Sequence, residues 1–227
     1  LKKEGSYFDL AIALGYLLSS HTIDFDPKHK IFLGELSLDG SVQPVGGVLP
    51  LVQHAEQNGF TEIFVPRKNA REAALVSNIT IYAVDNLKQT VNHLTGVEKI
   101  QPEPQTIIDF DDQAEITTDF FDIKGQEVAK RGLEIAAAGG HNIVMFGPPG
   151  TGKTMLARAF TGILPTLSLD EALEVTGIHS ISGKLQQPLI IHPPLRSPHH
   201  TSSYVSLIGG GAIPKPGEVT LAHRGVL

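Results

Sequence analysis

Gly147-Pro148-Pro149-Gly150-Thr151-Gly152-Lys153-Thr154 is the stretch on which the reading of this chain turns. It satisfies GxxxxGK[ST], and its four fixed positions would arise by chance in a chain of this length with a probability of roughly 1% at average composition. Its surroundings agree with it. Asn142 to Phe146 is a short apolar run of the kind that forms a buried parallel strand, and Thr154 to Ile163 has helical character. Glycines let several backbone N–H groups converge on one point, where the positive end of the following helix also acts. Such a loop holds phosphate oxygens. Lys153 would place a full charge at the β- and γ-phosphates, and the Thr154 hydroxyl would ligate Mg²⁺. The expected nucleotide contacts are Gly147, Pro148, Pro149, Gly150, Thr151, Gly152, Lys153, Thr154 and Met155, with Lys153 the catalytic phosphate-stabilising group. No Asn-Lys-x-Asp guanine reader is present.

Working upstream, Gln126 to Ala138 reads as a helix, with Val128, Leu133, Ile135 and Ala136 on one side and Gly139-Gly140 as its stop. Before it lies an acidic stretch. Between Glu103 and Asp122 there are seven acids and no base, along with Pro102 and Pro104. This predicts a solvated linker over 99–119 that divides a first domain, 1–98, from a second, 120–227. The chain carries 18 Lys+Arg, 24 Asp+Glu and a net charge of −6; outside the acidic stretch 18 bases face 17 acids, so bulk charge does not advertise a nucleic-acid binder.

The first domain alternates strands and helices. A helix is expected over about 6–20, a strand from Lys30 to Leu38, a turn at Asp39-Gly40 and a returning strand from Val42 to Val45. Helix Leu49–Asn58, strand Glu62–Val65, a helix capped by Asn69, strand Thr80–Val84 and a helix capped by Asn86 follow. That order predicts an α/β layered fold. Beyond Pro165 the chain is rich in Pro, Gly and His and has no repeats. With no cysteine, disulfides and Cys-based zinc sites are excluded. The longest apolar stretch, Phe8 to Leu18, contains Asp9 and is too short for the ~20 residues that a membrane-crossing helix needs. His199-His200 is the one histidine pair, and side chains alternating along an extended chain make it a poor joint metal site.

Several of these segments resemble known families. Gly-Pro-Pro-Gly-Thr-Gly-Lys-Thr is the loop form of AAA+ ATPases, and Phe121 to Arg131 resembles the AAA+ segment beside the adenine, which implies Ile123 and Gly125 on the adenine side. Arg196 to Ser203, Gly209-Gly210-Gly211 and Pro216 to Leu227 resemble the magnesium-chelatase-like branch (the YifB/ComM group). Lys2 to Gly5, Gly34 to Gly40, Pro44 to Gly47 and Val65 to Asn69 resemble the Lon protease domain, a ribosomal-S5-like α/β fold. The expected architecture is therefore an incomplete S5-like (Lon-protease-like) α/β domain followed by a P-loop NTPase (AAA+) α/β domain with a parallel sheet. The resemblance implies ATP and Mg²⁺ as ligands. It further implies an ATP-driven remodelling motor in the cytoplasm, assembled as a hexameric ring, with DNA as a plausible partner and no membrane.

In the Lon pattern a serine follows Gly-Pro and a lysine follows Gly-Gly by two residues. Here Tyr7 and Leu49 take those places, with Ser6 one residue early, so a peptidase is the disfavoured reading. A chelatase-type subunit acting on a protein partner is the other alternative. Because the sequence begins at Leu1 and ends in the apolar run Gly225-Val226-Leu227, it reads as a fragment. The acidic Walker B strand, sensor, arginine finger and lid are expected beyond it, and the fragment is expected to bind nucleotide with little turnover.

Overall fold

The computed structural model describes residues 6–107, 118–183, 185, 187–211 and 214–227. The chain divides into two compact units, one of residues 1–107 with 179–188, the other of 108–178 with 189–227. The fold class is α/β.

The first unit is assembled on a three-stranded parallel sheet in the order β1-β4-β5. These strands are Lys30–Phe32 (β1), Glu62–Pro66 (β4) and Thr80–Val84 (β5). Phe32, Phe64 and Tyr82 stand side by side in register. Strand alternation sends Ile63 and Val65 to one face and Phe64 to the other, and all three are fully buried. Behind Ile63 and Val65 pack Val48, Val52 and Ala55 of Val48–Gln57 (α2) and Ala70 and Ala73 of Ala70–Ala73 (α3). Around Phe64 pack Leu10 and Leu14 of Asp9–Ser19 (α1) and Val91 and Leu94 of Leu87–Leu94 (α4). Its ring stacks on Phe32 at 4.8 Å and on Tyr82 at 4.9 Å.

The long strand expected from Lys30 to Leu38 is broken in two. Gly34 has φ +144°, and a Cβ there would meet Val42 Cγ1 at 2.4 Å. Only glycine accepts both conditions. Glu35–Leu36 (β2) therefore leaves the parallel sheet and pairs antiparallel with Val42–Gln43 (β3) across the Asp39-Gly40 turn. Asn86 caps α4 as its position predicts, accepting from the Gln89 N–H at 2.8 Å. Asn69 does something else. Its amide bonds both the N–H and the C=O of Val45, at 3.1 and 2.9 Å, tying the β3 exit to α3 rather than capping it.

The linker begins later than the acidic stretch predicts. Residues 101–107 belong to the first unit, where the Glu103 N–H bonds the Ile81 carbonyl at 2.8 Å and the Thr106 N–H bonds that of Ala74 at 3.0 Å. Those backbone bonds are indifferent to the side-chain charges that suggested a free tether. The rest of the expected linker, 108–117, lies outside the described residues.

In the second unit, Glu127–Gly139 (α5) and Lys153–Phe160 (α6) share a core of Leu133, Ala136, Leu156, Ala159 and Phe160, joined by Ile123. The parallel sheet expected around Asn142–Phe146 is not found among the described residues. That segment carries no ladder, and Val144 and Phe146 are exposed. A strand exists only through the neighbour it bonds, and no described strand lies beside this one. Gly209–Gly210 (β6) and Lys215–Pro216 (β7) form a small hairpin, and Leu195 and Val226 make a parallel bridge.

A helix that periodicity does not predict, Leu169–Ile181 (α7), follows. Its buried residues Ala172, Val175, Thr176, His179 and Ser180 fall on one face, but three of the five are polar, so no apolar stripe announces the helix. A signal was nevertheless present. Ser168 and Glu171 form a reciprocal cap, with the Ser168 N–H on Glu171 Oε2 at 2.9 Å.

Removing the Phe64 ring should test whether β4 holds the first unit together. Phe64→Ala is expected to cost about 3–5 kcal/mol in urea denaturation followed by circular dichroism. Leu38→Ala, at a fully exposed site, should change stability by no more than about 0.5 kcal/mol.

Candidate functional site

The phosphate loop owes its shape to two glycines in the left-handed region, Gly150 at φ +80° and Gly152 at φ +82°. Gly152 is the N-cap of α6 and supplies no side-chain cap, so the first N–H groups of that helix are left to an outside acceptor. Lys153 folds back over the loop. Its Nζ donates to the carbonyls of Gly147 at 2.8 Å and Pro148 at 2.6 Å and reaches Thr151 Oγ1 at 3.3 Å. The Thr151 hydroxyl donates to the Pro148 carbonyl at 3.0 Å. The loop thus encloses one ammonium with neutral carbonyls that a phosphate oxygen would outcompete. A cavity of about 710 Å³ is lined by Gly147 and by Pro149 through Met155, and Thr154 is exposed on it. Of the nine expected contacts, the structure brings eight to this cavity; Pro148 contributes through the carbonyl that Lys153 holds.

This donor set fits a nucleoside triphosphate. Glycine-shaped backbone, a helix start and a mobile cation would take the phosphates, and the Thr154 hydroxyl would take the metal that accompanies them.

On the side expected for adenine, Gly125 has φ +69° and Ile123 is buried in the core. The Ile123 carbonyl receives Lys130 Nζ at 2.5 Å. Gln126, which sequence reasoning did not single out, sits at φ +61° and reaches the Thr151 carbonyl at 3.5 Å, joining this segment to the phosphate loop. Its place between a glycine and the start of α5 was the available signal.

The histidine pair departs from expectation. The rings of His199 and His200 lie 4.2 Å apart and tilted by 35°, drawn together by a turn in which His199 Nδ1 contacts Thr201 Oγ1 at 2.6 Å. Among the described residues no cluster of metal-binding side chains occurs. Arg196 donates to both Glu218 carboxylate oxygens, at 2.5 and 2.8 Å.

Where a Lon-type dyad would sit, Leu49 is fully buried and Tyr7 is partly exposed. The Leu49 N–H donates to Glu72 Oε1 at 3.0 Å. Glu72 also accepts the Ser180 hydroxyl, and the Ser180 oxygen in turn accepts the Gly47 N–H at 2.9 Å. Ser180 and Glu72 are both buried at the wall of a cavity of about 530 Å³, and their shared hydrogen bonds make the pair a structural node. Sequence reasoning missed it because its members are far apart in the chain.

Residues 119–227 match the family described as magnesium chelatase, subunit ChlI, and residues 1–69 match that described as subunit ChlI of Mg-chelatase. The chain belongs to the magnesium-chelatase-like AAA+ ATPases. Within this family it is 43% identical to the competence protein ComM of Haemophilus influenzae, over all of this chain and 45% of ComM. It is 40% identical to the protein YifB of Escherichia coli, over all of this chain and 44% of YifB. The first unit is in addition similar to Lon protease 2 of Bacillus subtilis, at 31% identity over 40% of this chain and 16% of the protease. The chain spans about 45% of the length of the ComM and YifB relatives.

Lys153→Ala leaves the loop's glycines intact and deletes its cation. Titration calorimetry with ATP and Mg²⁺ should show affinity reduced by about 1.5–3 kcal/mol, or roughly 10- to 150-fold, per charge-assisted hydrogen bond lost. Equal affinity in the variant would take the nucleotide away from this loop.

Proposed function

We propose that this chain binds ATP with Mg²⁺ at the 147–155 loop and serves in a cytoplasmic, ring-forming motor, a hexamer, that remodels DNA at branch points. The observation that carries the nucleotide reading is the position of Lys153, held by the loop's own carbonyls beside the unpaired N–H groups that start α6. When bound, ATP supplies the phosphoryl group whose cleavage drives such a motor, and Mg²⁺ neutralises charge on its β- and γ-oxygens. Lys153 would exchange its bonds to Gly147 and Pro148 for phosphate oxygens. Thr154, exposed at the cavity, would present its hydroxyl to the metal. Gly150 and Gly152 would hold the N–H groups convergent without reorganisation.

Two features support the DNA reading: membership of the ComM and YifB family, and the exposed apolar helix Tyr204–Ile208 (α8) beside the β6–β7 hairpin, with Lys215 at its edge. Such a projection could grip a polymer in the centre of a ring. A chelatase-type subunit acting on a protein partner is the second reading, favoured by the same family's printed description and by the near-neutral charge outside the acidic stretch. A peptidase is disfavoured because Leu49 cannot accept a proton.

Phosphate release by the full-length protein decides between the first two. Turnover is expected to rise several-fold with four-way branched DNA, to respond less to linear duplex of the same length, and to fall to background in Lys153→Ala. Stimulation by protein partners with no response to any DNA would favour the chelatase-type reading and sink the DNA one.

A further inference from the structure

After α4 the chain turns back over the first unit and is pinned there at several points. Lys99 Nζ donates to the His93 carbonyl at 3.0 Å, and the Ile100 N–H donates to His93 Nδ1 at 2.9 Å. Further along, the Glu103 N–H bonds Ile81 O, the Thr106 N–H bonds Ala74 O, and the Thr106 hydroxyl bonds Arg71 O at 2.7 Å. The bond to His93 differs from the others in one respect. A backbone N–H can only donate, so Nδ1 must be bare, and the imidazole must be the neutral tautomer with its proton on Nε2.

The ring has little room to change. His93 is 6% exposed, with Tyr82 at 4.5 Å and Phe64 at 5.4 Å. A proton on Nδ1 would set two donors against each other at 2.9 Å. The charged and titratable groups facing the ring are Lys99 from the returning segment, Lys30 from β1, Glu62 from β4 and Tyr82 from β5. Asp26 lines the same cavity of about 490 Å³. Glu62 already holds Lys30 at 3.0 Å. Burial and then Lys99 and Lys30 keep the imidazole below the ordinary histidine range, against the opposing pull of Glu62.

We propose that His93 is a proton-sensitive clasp that holds residues 99–107 on the first unit and releases them when it is protonated. Release frees nine residues of chain after α4, up to about 30 Å when extended. Acidification would thereby lengthen the chain that leads out of the first unit. The sign follows from linkage. The closed form has the lower proton affinity, so the open form takes up the proton, and closure is complete above the ordinary histidine pKa and is lost as pH falls below it.

Amide hydrogen exchange on the 227-residue chain, corrected for intrinsic rates, tests the clasp at pH 7.5 and pH 5.0. If the opened histidine titrates near 6.5, protection of Ile100, Glu103 and Thr106 should drop by up to about 30-fold. Phe64 and Val65 should stay protected and so report that the unit is folded. Nitrogen NMR of the His93 ring should show a bare Nδ1 at pH 7.5, and the strap amide shifts should move with the same midpoint as the ring. In His93→Asn the Oδ1 replaces Nδ1 as a pH-independent acceptor, and the pH effect on these amides should disappear. Unchanged protection in the wild type, a different midpoint for ring and strap, or an equal pH effect in His93→Asn would each overturn the proposal.

Discussion

A single strand buried on both faces governs the first unit. Glu62–Pro66 lies at the centre of the parallel sheet, so its alternating side chains must satisfy two cores at once: Ile63 and Val65 against α2 and α3, Phe64 against α1 and α4. Slipping its register by one residue would exchange the aromatic and aliphatic faces. The rest of the unit accommodates that demand. Phe32 and Tyr82 extend the ring row on either side, and His93 closes over it from α4. The clasp on the returning chain thus depends on the aromatic row beneath it, since Phe64 and Tyr82 pack against the imidazole.

The phosphate loop answers to a different constraint. It needs no partner strand to hold its local shape, because two left-handed glycines, the start of α6 and the folded-back Lys153 define it from within an eight-residue span. This is why the loop is well formed although Asn142–Phe146 before it has no ladder among the described residues. Local backbone geometry and sheet formation separate here, and only the former is required to present converging donors.

Likeness to a protease coexists in the first unit with residues that differ from the Lon-type dyad. The glycine pair remains, yet its neighbour Leu49 is apolar, and the adjacent polar atoms are committed elsewhere. Gly47 and Leu49 donate backbone N–H groups into the Ser180–Glu72 node. A Cβ at Gly46 would come within 3.1 Å of the Ser180 carbonyl oxygen, so glycine here serves close packing. A buried carboxylate that accepts from a hydroxyl and a backbone N–H is a satisfied structural anchor.

Much of this was legible in the sequence because it is local. The GxxxxGK[ST] loop, the turn at Asp39-Gly40, the Asn86 cap and the apolar runs of β4 and β5 depend on residues within a few positions of one another, and so does the reading of Tyr7 and Leu49 at the positions of a Lon-type dyad. What the sequence alone left open, or misdirected, depends on approach in space. The break at Gly34 follows from Val42 pressing on it, and α7 was hidden because its buried face carries the polar residues Thr176, His179 and Ser180. Arg196 is bound to Glu218 across 22 residues, and residues 101–107 dock through backbone bonds that no side chain announces. His93 shows the division most plainly. The sequence supplied a histidine near the end of a helix, and the fold, by setting a backbone N–H against Nδ1 and two aromatic rings around it, decided which proton it can carry.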